Sequence, residues 1–307
     1  MRILVVGAGA TGGYFGARLH EAGRDVTFLV RPRRAEQLRV RGLRITGLGR
    51  ETVVTPNLVI APELAGHYDI VLMSVKATTL PQAVEDTAAA VGPRTVVVPF
   101  LNGLAHLDGL AKAYGSDGVL GGVVRVITTL DDEGDIVQLA PLSDMTIGEL
   151  AGGVSDRVRR VEEVLADAGF DFAVSPDIRS AMWHKWVFIS TLGALNTLVR
   201  GTVGEAVEAG AGQLGAQLAA EAAQVSAAAG HPMPEPALAN VIAFTSRAGS
   251  ADTASLYRDL VAGQPTEAEQ ILGDLTARAS ALGVSTPLLD LATANLRVHE
   301  NRLARGA

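Results

Sequence analysis

The sequence predicts an α/β chain in two parts, a doubly wound parallel sheet followed by an all-α segment. Three observations carry this. The first thirty residues run strand, glycine-rich turn, helix, strand. Two further apolar runs, Tyr68 to Leu80 and Thr95 to Gly103, carry polar residues where strands of such a sheet present a site, at their carboxyl ends. From Asp177 onward the sequence is helical and alanine-rich, with Pro and Gly only as punctuation. The 307 residues are enough for two domains of ordinary size. The shift in composition divides them into 1–176 and 177–307.

Taken in order, Ile3 to Val6 is an apolar run that reads as a strand buried on both faces. Gly7-Ala8-Gly9-Ala10-Thr11-Gly12 follows with the spacing G-x-G-x-x-G, then a helix to Ala22 and a second strand, Asp25 to Val30. Each glycine has its own reason. Gly7 allows the tight turn, Gly9 lets the backbone approach a pyrophosphate, and Gly12 lets helix pack close on strand. The helix N-terminus, with free N–H groups and a positive dipole end, favours the anion. Glycines alone are weak evidence; strand before and helix after make this a Rossmann-type dinucleotide site. At the end of the second strand an acid would bind the ribose 2′-hydroxyl of NAD, and an arginine the 2′-phosphate of NADP. The chain has Arg31-Pro32-Arg33-Arg34 and no carboxylate until Glu36, which favours NADP(H).

Lys76 and Asn102 lie at the carboxyl ends of the next two strands, on the cofactor edge of a doubly wound sheet. A surface lysine and a turn asparagine before glycine are the plain alternatives. Beyond Asn102, two segments, Gly118 to Ala140 and Ser143 to Leu150, predict antiparallel strands with a turn at Asp131 to Gly134. Asp156 to Gly169 predicts a short amphipathic helix and Phe170 to Ser175 a last strand. In the second part, the biased tract Glu208 to Gly230 keeps helical spacing and predicts helix. Ser255 to Val261 ends one helix, Ala262-Gly263-Gln264-Pro265 breaks the chain, and Thr266 with Glu269 predicts a capping box for the next. Glu267 then falls in the first turn, where the dipole stabilises any carboxylate.

Composition excludes several function classes. Hydrophobic residues are 48% and charged residues 19%, a globular balance. A formal net charge of −7 gives a nucleic-acid partner no electrostatic support. With no cysteine there is neither a disulfide framework nor thiolate chemistry. The six histidines form no His-x-x-x-His pair, so no metal is expected. No apolar run is long enough to cross a membrane, and the expectation is a cytoplasmic protein, monomer or homodimer, acting on a small molecule.

One residue stands out on its helix. Lys185 has Met182, Phe188 and Ile189 three and four positions away. Of 26 basic residues only Lys76, Lys112 and Lys185 are lysine. A chain that otherwise writes arginine uses lysine here either to snorkel an ammonium to water or because a proton must leave the amine.

Together these residues resemble the ketopantoate reductases (2-dehydropantoate 2-reductases). The resemblance spans nearly the whole chain: G-x-G-x-x-G, Arg31, Lys76, Asn102-Gly103, Trp183-x-Lys185, Gly204-Glu205, and Ser255 with Asp259, Thr266 and Glu267. It implies an N-terminal Rossmann-type domain, a C-terminal all-helical domain and NADPH-dependent reduction of a 2-oxo acid, by default ketopantoate to pantoate. It implies that Lys185 is the general acid and that Glu267 organises cofactor and substrate hydroxyls. Asn102 and Lys76 then stand near nicotinamide and substrate, and Ser255 holds the substrate carboxylate. Two departures go with it. Ile189 and Gly193 stand where pantoate-forming members carry asparagines on the face of the lysine, and the next asparagine, Asn196, lies about 16 Å along the helix. "LNGLAH" also lacks a second glycine. These departures favour a larger or more apolar carbonyl as the alternative substrate. A non-catalytic NADP(H)-binding regulator is the third reading; it would need neither Lys185 nor Glu267.

Overall fold

The computed structural model describes residues 1–306 as two compact units, one of Met1–Leu101 with His106–Arg179, the other of Asn102–Ala105 with the chain from Ser180 on. The first unit is α/β. Its strands are β1 (Arg2–Val6), β2 (Asp25–Leu29), β3 (Leu43–Gly47), β4 (Arg50–Val54), β5 (Asn57–Val59), β6 (Ile70–Met73), β7 (Val96–Pro99), β8 (Gly121–Leu130), β9 (Ile136–Gly148) and β10 (Asp171–Val174). Its helices are α1 (Ala10–Glu21), α2 (Pro32–Arg41), α3 (Leu80–Thr87), α4 (His106–Tyr114) and α5 (Asp156–Leu165).

Five strands form an all-parallel sheet in the order β5-β2-β1-β6-β7. Successive side chains leave a strand on opposite faces, and here both faces are buried. Ile3 and Val5 join one core with Phe15 and Leu19 of α1. Leu4 and Val6 join another with Met73 and with Leu110 of α4. Such double burial explains why the strands read as unbroken apolar runs. The chain order reverses between β1 and β6, and there the carboxyl ends open a crevice suited to a ligand.

The second sheet is where sequence reading fell short. Leu43 to Val54 forms an unexpected hairpin, β3 with β4. The predicted turn at Asp131 to Gly134 is present, with Asp131 Oδ1 accepting from the backbone of Glu133 and Asp135. The strand after it, however, is one 13-residue β9, not two strands. It pairs with β8 from end to end and shares its other side between β3 and β10. The apparent break comes from a bulge: Val126 faces Ser143 but Thr128 faces Gln138, so Leu139 to Leu142, with Pro141 among them, are extruded. A proline cannot donate to a ladder, and a bulge is the place for it.

The second unit is helical: α6 (Ile178–Val199, beginning just before it), α7 (Val203–Glu208), α8 (Leu214–Ala228), α9 (Glu235–Thr245), α10 (Ser255–Val261), α11 (Asp274–Ala281) and α12 (Pro287–Arg305). Trp186, Leu195, Leu218, Leu275, Leu289 and Leu296 are fully buried at its core. The tract from Glu208 is not one helix: residues 209–213 turn before α8 begins. Ser255 starts a seven-residue helix of its own rather than ending a longer one. No helix among the described residues is long and apolar enough to cross a membrane.

Candidate active site

In the α/β unit, the glycine turn has the geometry that its spacing calls for. Gly7 has φ +96°, which a side chain would resist. A Cβ on Gly9, the N-cap of α1, would meet nothing within 4 Å, so the backbone there is open to an approaching ligand. A Cβ on Gly12 would fall 1.9 Å from Ser74 Oγ and 2.4 Å from Gly7 O, so α1 touches the strand ends directly. This cradle fits a dinucleotide pyrophosphate.

Two side chains shape that turn: Ser74, which sequence reading missed, and Arg34, which it read only as one cation of the Arg31-Pro32-Arg33-Arg34 run. Ser74, just past β6, donates from Oγ toward Val6 O and Gly7 O at 2.8 and 2.9 Å. Arg34, on the first turns of α2, donates from Nε and Nη2 to Ala8 O at 3.2 and 3.0 Å, and from Nη1 to Gln37 Oε1 at 2.7 Å. Burial holds its guanidinium below the usual arginine value, with the Asp135 charge opposing. No local pattern marks these roles, because both depend on where α2 and β6 pass the turn.

Arg31 is the N-cap of α2, with Pro32 at N1, and is exposed. No carboxylate lies between Asp25 and Glu36, so nothing on this strand end competes with it for an anion. Lys76 is exposed too, capping a single 3-10 turn, Ala77–Thr79, with Thr79 N and Oγ1 donating to its carbonyl.

In the helical unit, Lys185 lies half-buried on α6. Its neighbour Trp186 is fully buried and donates from Nε1 to Ile271 O at 2.8 Å, and Ser190 Oγ donates to the same carbonyl at 3.3 Å. Ile271 lies within the π-helical turn Glu269–Gly273, a device common at functional sites. The predicted capping box with Glu269 does not form, although Thr266 Oγ1 accepts from Ala268 N at 3.3 Å. Glu269 pairs instead with Arg297 at 2.6 and 2.8 Å, and Thr266 donates from N and Oγ1 to Glu300 Oε1 at 2.7 and 2.6 Å. Glu267 is not inside the first turn but immediately before the helix, its carbonyl accepting from Ile271 N at 3.0 Å. Asn102 Nδ2 donates to Glu267 Oε2 at 3.3 Å. Gly103 beside it has φ +72°, and a Cβ there would strike Gln270 O at 2.4 Å. Asn102, Gly103, the π turn and the helix of Lys185 thus form one packed group.

Ser255 is exposed at the start of α10. The approach to it crosses Gly204, whose Cβ would fall 2.7 Å from Ser250 N, and Gly204 N donates to Ser250 O at 2.8 Å. Glu205 closes a capping box with Thr202. Gly204-Glu205 is therefore a structural pair that seats the chain leading to Ser255. On α6, Ile189 is half-buried, and a Cβ on Gly193 would already lie 2.7 Å from Leu256 Cδ1. An asparagine at 193 would have to displace the Leu256 side chain. No group of three or more His, Cys, Asp or Glu among the described residues could hold a metal ion.

Two family models match the chain: Ketopantoate reductase PanE/ApbA over residues 3–152, and its C-terminal counterpart over residues 177–300. The uncharacterized oxidoreductase YkpB of Bacillus subtilis (strain 168) is 35% identical over 302 residues, covering 98% of this chain and 99% of that protein. The crystal structure of 2-dehydropantoate 2-reductase from Methylococcus capsulatus matches with TM-score 0.85 and 28% identity, over 98% of this chain and 97% of that one. A ternary structure of D-mandelate dehydrogenase with NADH and anilino(oxo)acetate matches with TM-score 0.88 over 99% of both chains, at 23% identity, which speaks for the fold alone. Two family models in sequence order and a relative aligned along the full length lead to one conclusion: the chain belongs to the ketopantoate reductase family of oxidoreductases.

Proposed function

We propose that the protein reduces a 2-oxo acid to a 2-hydroxy acid with NADPH, residues 1–176 holding the cofactor and 177–307 supplying the acid, with ketopantoate the default substrate. The observation that carries this is the fastening of Lys185's helix to Glu267's turn. Trp186 donates to Ile271 O, four residues after Glu267, while Asn102 donates to Glu267 itself. A lysine, a carboxylate and an amide are so supplied by one packed group. When bound, the reduced nicotinamide supplies a hydride to the carbonyl carbon. Lys185 stabilises the charge developing on the oxygen and gives it a proton from Nζ. Glu267, oriented by Asn102, accepts from hydroxyl groups, and Ser255 donates to the substrate carboxylate. The choice of NADPH rests on Arg31, since the D-mandelate dehydrogenase structure of the same fold holds NADH.

A second reading, a larger or more apolar 2-oxo acid, has its own observation. Ile189 is apolar, Leu256 occupies the space at Gly193, and Phe188, one turn from Lys185, meets Phe244 edge to face at 5.2 Å. The test for both is NADPH oxidation across 2-oxo acids of graded side-chain size, ketopantoate and phenylglyoxylate among them. Absence of turnover with every member overturns the reductase reading.

A further inference from the structure

Asn196 is fully buried, and both ends of its amide are engaged: Nδ2 donates to Gly201 O and Oδ1 accepts from Ala254 N, each at 2.8 Å. In sequence it is the one asparagine left on the face of Lys185. In the fold it presents no surface to a ligand. What it holds is the backbone amide just before Ser255, at the N-cap of α10.

The chain entering α10 is tied to the end of α6 and the start of α7 at several points. Gly204 N donates to Ser250 O at 2.8 Å, Val203 N to Asp252 O at 3.2 Å, and Tyr257 Oη to Arg200 O at 2.8 Å. Asn196 is the side chain of α6 that joins in, so the helix carrying Lys185 also holds the residue before Ser255. On the other side of Ser255, Leu256 is buried against Gly193, one turn earlier on α6. Ser255 is bracketed by two contacts with the same helix. The amide suits the task because it donates and accepts at once. An aspartate could accept from Ala254 but not donate to Gly201, and its charge would be buried without a partner.

We propose that Asn196 is a positioning residue for substrate binding: through the Ala254 amide it fixes Ser255, and Gly193 is glycine so that Leu256 can complete the bracket. This rests on the reading of Ser255 as the group that takes the substrate carboxylate. Loss of a hydrogen bond to a charged group typically weakens binding by about tenfold or more.

The test is steady-state kinetics at saturating NADPH with phenylglyoxylate or ketopantoate, whichever turns over faster. Asn196→Ala is expected to raise KM about tenfold while kcat changes less than about threefold and NADPH affinity by fluorescence is unchanged. The double variant Asn196→Ala/Ser255→Ala should be no worse than the weaker of the singles, because both remove the same contact. Gly193→Ala, which pushes on Leu256, should raise KM in the same way and serves if Asn196→Ala does not fold. Hydrogen exchange at the Ala254 amide, which needs no substrate, should speed up in Asn196→Ala. An unchanged KM in Ser255→Ala removes the reading beneath. A raised KM in Ser255→Ala with unchanged KM and exchange in Asn196→Ala overturns the positioning role, as do losses that multiply in the double variant.

Discussion

Lys185 is proposed as the general acid on its residue type more than on its place. A guanidinium could stabilise charge on a carbonyl oxygen but would not give up a proton at accessible pH. Lys185→Ala should therefore lower kcat by about 10²–10⁴-fold, the usual worth of general acid catalysis, with NADPH affinity unchanged. Lys185→Arg should be nearly as slow; near wild-type turnover in that variant would show that charge alone suffices. Arg31 is proposed for a similar reason, as a cation at the strand end where a ribose phosphate would lie. Titration of Arg31→Ala by fluorescence should show NADPH binding weakened toward that of NADH, and an unaltered preference would remove the assignment. What Arg34 and Ser74 do was not legible: both donate to carbonyls of the glycine turn. No local pattern marks either contact, since each acts on a carbonyl 26 or more residues away.

At the scale of elements, the glycine turn is both a binding device and a packing constraint. Gly12→Ala puts a methyl carbon 1.9 Å from Ser74 Oγ and 2.4 Å from Gly7 O. Dinucleotide binding should be lost and the melting temperature lowered. Adding Ser74→Ala should not restore binding, because the Gly7 carbonyl remains in the way. Elsewhere, Glu149 at the end of β9 accepts from Arg157 Nε at 2.7 Å, and also from Arg157 Nη2 and Ser155 Oγ, at the start of α5. The Arg157 hydrogen bonds, aided by Ser155 and opposed by burial, hold its carboxyl below the usual range. A depressed folded-state value means stability that is present above the unfolded carboxylate pKa and fades as pH falls through the folded one. Glu149→Gln should cost about 1–3 kcal/mol near neutral pH, and urea melts should show that difference shrinking in acid. The π turn also belongs to this scale. Its sequence promised a capping box, and Thr266 and Glu269 found Glu300 and Arg297 of α12 instead. A tertiary ion pair overrode a local preference.

Across the whole molecule, substrate choice is the property least settled by family membership. On the second reading proposed above, Ile189 and the Leu256 side chain at Gly193 put apolar surface where amides would match a polar substrate, with the Phe188–Phe244 pair one turn from Lys185. A hydrophobic site discriminates weakly against a merely smaller group, but lost hydrogen bonds to polar groups carry large factors. If that second reading holds, ketopantoate should give a lower kcat/KM than phenylglyoxylate in an NADPH-oxidation assay. A kcat/KM for ketopantoate far above the rest of the panel would falsify this and leave the default substrate standing.

The sequence by itself determined the parallel sheet, the glycine turn, the helical second part and the identity of Lys185, Arg31, Asn102 and Glu267 as candidates. All of these depend on short-range patterns: apolar runs buried on both faces, fixed glycine spacing, helical periodicity and residue chemistry. Only the tertiary structure decided that β9 is a single bulged strand with three partners and that Glu267 precedes a π turn against Trp186. It alone showed that Asn196 holds the backbone before Ser255 rather than facing a ligand. Each of those outcomes is set by a hydrogen bond or a packed atom from a distant part of the chain, which no local preference encodes.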